Sequence, residues 1–180
     1  MPGNVVATHA IAVLDAGQPL SCSYEEIMKY HGGGSPGGVA HAFKVMERAW
    51  PLLSPGRSPP ERREITVTTA FGGPGARDAF EFVTRAVSGG RYVVDPALAR
   101  PERGRTLERF VFRLGYRART VTLLLCEGYV TDEFIELARE PRRSNGQERR
   151  LSVLKREMAD RVMAAPAAHV YGVSDPAHQP

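Results

Sequence analysis

The run Leu107-Glu108-Arg109-Phe110-Val111-Phe112-Arg113-Leu114-Gly115-Tyr116-Arg117-Ala118-Arg119-Thr120-Val121-Thr122-Leu123-Leu124-Leu125-Cys126 decides the fold class. Phe110, Phe112 and Leu114 alternate with more polar neighbours, and so do Val121, Leu123 and Leu125. Side chains on a strand point to opposite faces in turn, so each half reads as a strand with one apolar face. The link Gly115-Tyr116-Arg117-Ala118 is short, which predicts an antiparallel hairpin. Glu64–Phe71 shows the same alternation, with Ile65, Val67 and Ala70 set among threonines. Arg91–Val94 and His169–Val173 read as short strands, and Ile11-Ala12-Val13-Leu14 as a short strand or a packing arm.

The segments between the strands carry helical signals. Ser23-Tyr24-Glu25-Glu26 has the spacing of a capping box and predicts a helix from Tyr24 to about His31, stopped by Gly32. A second helix follows Pro36, with Val39, Phe43, Met46 and Trp50 on one apolar face and His41, Lys44 and Arg48 mostly on another; Pro51 ends it. Ala76–Val87 forms a third helix, with Ala79, Phe80, Val83 and Val87 on one side. Asp95–Thr106 is a basic loop. Thr131 caps a helix through about Arg139, and Glu148–Ala165 is a long helix with Leu151, Leu154, Met158 and Val162 inward. Helices mixed with antiparallel strands predict an α+β domain, a largely antiparallel sheet covered by Val39–Trp50 and Glu148–Ala165. The expected division is an N-terminal arm over 1–22, one domain over 23–173 and a flexible tail over 174–180.

Composition narrows the classes of function. The 180 residues are enough for one domain with its own core, and 42% hydrophobic with 24% charged residues is ordinary for a soluble protein. No run approaches the apolar length of a membrane span, and the first residues lack the basic region of a secretory signal. Cys22 and Cys126 are the only cysteines, too few for a disulfide scaffold or a four-cysteine zinc site. Both read as small apolar residues, and the cytoplasm is the expected compartment. The net charge is +4, but the arginines are spread over several loops and alternate with Glu. A basic block interleaved with aromatics is absent, which argues against nucleic acid as a partner.

The stretch that points to a ligand is His31-Gly32-Gly33-Gly34-Ser35-Pro36-Gly37-Gly38, with five glycines in eight residues. Glycine lets a backbone approach a ligand closely, and the helix that begins after Ser35 and Pro36 exposes N–H groups that attract anions. A second glycine-rich junction, Gly72-Gly73-Pro74-Gly75, follows a strand and opens a helix. Neither loop has the spacing of a P-loop or of a dinucleotide-binding fingerprint, and tight turns for close helix packing explain both equally well. His31 reads as a ligand, a general acid–base, or a residue satisfying carbonyls at its helix end. His41 reads foremost as an exposed helical residue, with a place facing the same cavity as the alternative, and His169 and His178 as surface residues. Ser35 reads foremost as a helix cap. Asp78 reads as a first-turn carboxylate or a site residue, and Arg77 beside it as a partner for an anion. Gly34 and Gly37 supply backbone around the same place.

The order of these motifs resembles the FmdE family, which takes its name from a component of formylmethanofuran dehydrogenase. That family carries an aromatic-His-Gly-His-x-Cys-Pro-Gly segment leading into a helix, and Tyr30-His31-Gly32-Gly33-Gly34-Ser35-Pro36-Gly37 is similar to it. Gly75-Ala76-Arg77-Asp78-Ala79 looks like the family's Cys-Gly-x-Asp-Ala turn, Thr84–Val87 with Gly89-Gly90 like its Thr-Gly-Cys-Thr segment and glycine turn, and Met163–Val173 like its closing Ala-Pro and strand. The resemblance implies a metal held by cysteines and histidine, and a homodimer. Ser35, Gly75 and Ala86 stand where the cysteines would be and Gly33 where a second histidine would be. None of these replaces a thiolate or imidazole ligand, so no metal is expected. The expected protein is a repurposed FmdE-like scaffold that binds or transforms a small, anionic metabolite between two glycine-rich helix N-termini around His31. Two other readings stay open: a metal-binding accessory protein with His31 as a surviving ligand, and a non-catalytic partner subunit. Neither the cofactor nor catalysis itself is legible in the sequence. The aromatic and aliphatic residues of 107–125 exceed what one core face needs, which points to the same homodimer.

Overall fold

The structure, a computed structural model, describes residues 9–56 and 58–174. The tail expected after Val173, apart from Ser174, lies outside the described residues, as do His178 and the first eight residues of the expected arm.

An α+β fold is observed. Strand β1 (Ala10–Asp15) pairs antiparallel with β2 (Gln18–Ser23). The two are joined by Ala16-Gly17, both at positive φ (50° and 78°), the left-handed pair that a two-residue hairpin turn demands. This hairpin occupies most of the described part of the expected arm, and its Ile11, Val13 and Cys22 enter the core. Ser23 then closes the predicted capping box with Glu26 and starts α1 (Tyr24–His31). Helix α2 (Pro36–Leu53) follows the glycine loop, and β3 (Ile65–Thr69) leads into α3 (Pro74–Thr84). After β4 (Tyr92–Val94) and two short 3-10 turns in the basic loop comes the predicted hairpin, β5 (Val111–Tyr116) and β6 (Arg119–Leu125). Thr131 caps α4 (Asp132–Arg139), α5 spans Asn145–Ala164, a single turn α6 (Ala167–Val170) follows, and β7 (Tyr171–Val173) ends the described chain.

The main sheet has the order β4-β3-β5-β6-β7, antiparallel except for the β3–β4 pair. Val67, Leu114 and Val121 face one another across three strands, as do Thr69, Phe112 and Leu123. That face is buried, and the opposite one carries Thr66, Thr68, Arg113 and Thr120, exposed or half-buried. Phe110, Phe112, Leu114, Val121, Leu123 and Leu125 all lie in the core of this chain. The apolar content of the hairpin is therefore used internally and is not surplus.

Three expectations about the helices need correction. Helix α2 does not have one apolar and one polar face: every residue from Pro36 to Met46 is buried, including His41 and Lys44. It runs through the middle of the molecule, against α1, α3, α5 and α6 and strands β5, β6 and β7. Only its later turns reach solvent, where Glu47 and Arg48 are half-buried and Pro51 is exposed. Helix α5 packs mainly on α2 and α4 rather than on the sheet, because α2 already fills that place. Pro51 does not end α2, which continues to Leu53. A proline in the last turn removes one hydrogen bond where few remain to be broken. No helix among the described residues is long and apolar enough to cross a membrane.

Candidate functional site

Helix α1 ends at Gly32, whose φ of 82° suits glycine and whose N–H bonds the Met28 carbonyl at 2.9 Å. This end delivers the His31 ring to α3. Nδ1 lies 2.8 Å from Asp78 Oδ2, and the Ser35 N–H donates to Nε2 at 3.0 Å. An N–H donor needs a lone pair on Nε2, so the ring proton sits on Nδ1 and is donated to Asp78. The His31 side chain is 7% exposed and Asp78 28%. The second Asp78 oxygen faces Arg77 at 3.5 Å. His31, Ser35 and Asp78, singled out far apart in sequence, are thus joined in one chain of hydrogen bonds. Both imidazole nitrogens are hydrogen-bonded within it. The ring acts as a bracket tying the end of α1, the start of α2 and the first turn of α3.

The glycines at these junctions let two helices touch. A Cβ on Gly75 would overlap the Ser35 carbonyl oxygen and lie 2.9 Å from Val39 N; one on Gly38 would lie 3.0 Å from Ala76 N. Gly37 makes the matching contact with α5, where a Cβ would stand 2.9 Å from Met158 Sδ. Gly34 is different: open space surrounds its Cα, and its carbonyl accepts a bond from Lys155 Nζ at 3.0 Å.

On another side of the same helix starts is a cleft of about 410 Å³. Ser35 before α2, Gly37 and Gly38 in its first turn, and Gly72, Gly73 and Pro74 at the start of α3 form one part of it. Ser35 stands at the cap position of α2 but, contrary to its reading as a cap, makes no side-chain cap bond, and Gly73 before α3 has no side chain to make one, so first-turn N–H groups lack that partner. Arg105, Arg109, Arg139 and Lys155 also line the cleft, and no carboxylate among the described residues does. Arg105 is held by Asp132 at 2.7 Å and Glu136 at 2.8 Å, and Arg139 by Glu108 at 2.6 Å. Arg109 is exposed and makes no ion pair or hydrogen bond among the described residues. The remaining wall is apolar: Phe71 stacked on Phe110 with centroids 4.6 Å apart, then Phe134, Ile135 and Met158.

Of the residues expected at a site, Ser35 and Gly37 line this cleft, while His31, Gly34, Arg77 and Asp78 are not among its lining residues. Arg109, Phe134 and Lys155 were not singled out from the sequence. No local signal marks them, because they come from the lead-in to the β5–β6 hairpin, α4 and α5, which only tertiary packing brings to the cleft.

His41 requires a correction as well, since it is fully buried and not exposed. Its Nδ1 lies 2.8 Å from the Tyr171 hydroxyl, and its Nε2 has no partner among the described residues. Burial pushes its pKa down to about 3 and the equally buried Tyr171 well above the usual phenol value. Phe110 lies 4.7 Å from the His41 ring, so it touches both this pair and the cleft. His169 is exposed, as expected. Cys22 is buried as expected, whereas Cys126 is only half-buried, and both are free thiols. Among the described residues no three His, Cys, Asp or Glu side chains come together as they would around a metal ion. No protein-family model matches the chain, and no curated protein matches it.

Proposed function

We propose that this chain binds a small anionic metabolite, on an FmdE-like scaffold in which the cleft beside Ser35 has taken over from a metal site. One observation carries this reading: a cleft lined by four cationic side chains and, among the described residues, no carboxylate opens at the first turns of two helices that lack side-chain caps. Uncapped helix starts and an unpaired guanidinium all favour negative charge. His31 serves this site indirectly, by holding Ser35 and Asp78 in register. The likeness to the FmdE family gains support from the spatial meeting of its motifs. Ser35 Cβ lies 3.2 Å from where a Cβ on residue 75 would stand, and these are two of the positions that carry cysteine in the family. The two free thiols favour the cytoplasm. The homodimer implied by the resemblance draws no support from the hairpin, whose apolar side chains fill the chain's own core; sedimentation at micromolar concentration tests it directly.

Calorimetric titration with inorganic phosphate tests the anion reading. Phosphate is expected to bind, more weakly as salt is raised, because the attraction is screened. Arg109→Glu should abolish binding while thermal stability moves by less than about 0.5 kcal/mol, as at other exposed positions. Absence of any anion binding by the folded chain, or equal binding by Arg109→Glu, would refute the proposal.

A further inference from the structure

The cleft is lined by two chemistries, and an inorganic ion uses only one of them. Arg109 offers an unpaired fork of N–H donors that fits a carboxylate or a phosphate equally well. Beside it, half-buried Phe134, buried Ile135 and buried Met158 present an apolar wall. Phe71 already has a ring partner in Phe110, whereas Phe134 stacks on no aromatic ring among the described residues. A hydrated phosphate alone would leave that wall facing water. A purely apolar occupant would leave the Arg109 guanidinium without a partner in the cleft. A volume of about 410 Å³ falls in the range that takes small molecules.

We infer that the occupant is an aromatic ring bearing a carboxylate or a phosphate, with the anionic group on Arg109 and the ring against Phe134. This rests on the anion reading above and adds the other half of the ligand. The protein supplies a flat apolar surface and one charge partner, so the ring should be recognised by stacking and desolvation and the anion by charge-assisted hydrogen bonds.

The full chain would be titrated with inorganic phosphate, phenyl phosphate, acetate, benzoate and benzyl alcohol. Phenyl phosphate is expected to bind about tenfold or more tighter than inorganic phosphate, or benzoate than acetate, the gain associated with one stacked ring. The tighter of the two ring-bearing anions identifies the anionic group. Phe134→Ala should erase that gain and leave the affinity for inorganic phosphate unchanged. Phe134→Leu keeps apolar bulk at the same point of α4 and should erase most of it, which guards against a folding defect in the smaller variant. Equal affinities with and without the ring would overturn this inference and leave the anion reading standing. Benzyl alcohol binding as tightly as phenyl phosphate, or no binding by any anion, would overturn the anion reading itself.

Discussion

His31 and His41 stand ten residues apart and use the same atom in the same way, each setting Nδ1 2.8 Å from an oxygen. Their situations are otherwise opposite. His31 sits at the end of a glycine-flanked helix and has both nitrogens bonded. His41 sits in mid-helix, wholly out of solvent, with one nitrogen unmatched. The glycines around His31 marked it as the chemically available ring, and the pattern of α2 marked His41 as solvated surface. The structure gives neither ring that part: His31 is bonded at both nitrogens, and His41 is shut away from solvent. Neighbours in sequence tell how freely a backbone can approach something; they do not tell which groups will already be paired when it arrives.

The comparison is broken most readily by acid. Burial holds His41 at a folded pKa of about 3, against 6.5 for the ring in an unfolded chain. As pH falls through 6.5 the unfolded state takes up a proton that the folded state refuses. Stability from this ring is therefore fully present at neutral pH and lost progressively down to pH about 3. The loss reaches about 4–5 kcal/mol at the bottom of that window. Urea unfolding from pH 7 to pH 4, on the chain and on His41→Phe, should show a shallower acid slope in the variant. An unchanged slope would mean that the ring is hydrated and titrates normally.

His31→Ala should give the next largest effect. It removes two hydrogen bonds and leaves the Ser35 N–H and Asp78 without their partner, a cost of about 2 kcal/mol. Phosphate binding by the folded fraction should change only a few-fold. Loss of binding with stability unmoved would return His31 to the site and undo the contrast with His41. Asp78→Asn should matter least. The amide oxygen can still accept the Nδ1 proton and the residue is partly solvated, so the expected cost is below about 1 kcal/mol. A cost matching that of His31→Ala would show that the ring is held by charge and not by a neutral hydrogen bond.

The parts of the fold legible in the sequence are those fixed by short-range rules. Ser23 with Glu26 and Thr131 with the Phe134 N–H are cap contacts within three residues, and both helices start where those residues predicted. The β5–β6 hairpin follows from period-two alternation across a short link. The Ala16-Gly17 turn was equally local, but the strands beside it alternate too weakly to draw attention to it. Full burial of α2 was not legible. Small residues such as Gly37, Ala40 and Ala42 fit a buried face without announcing one, and Lys44 can lay its stem in the interior while Nζ meets Glu47 at 2.7 Å. The site divides the same way. Ser35 and Gly37 were visible because a glycine loop is a local feature, whereas Arg109, Phe134 and Lys155 reach the cleft from the lead-in to a β-hairpin, α4 and α5, which only tertiary packing brings there.

The two-faced character of the main sheet has one more consequence. Thr68, Arg113 and Thr122 stand in a row across β3, β5 and β6, and Thr69, Phe112 and Leu123 form the adjacent row on the other face. A slip of β5 by one residue would turn Arg113 toward the α2 side and Phe112 and Leu114 toward the face that carries Thr68 and Thr122. Placing the Arg113 charge within the apolar core and taking two large apolar groups out of it disfavours the slipped pairing. Alternation along one hairpin thus specifies the alignment of the central strands, and with it the side from which α2, the glycine loop and the cleft must be built.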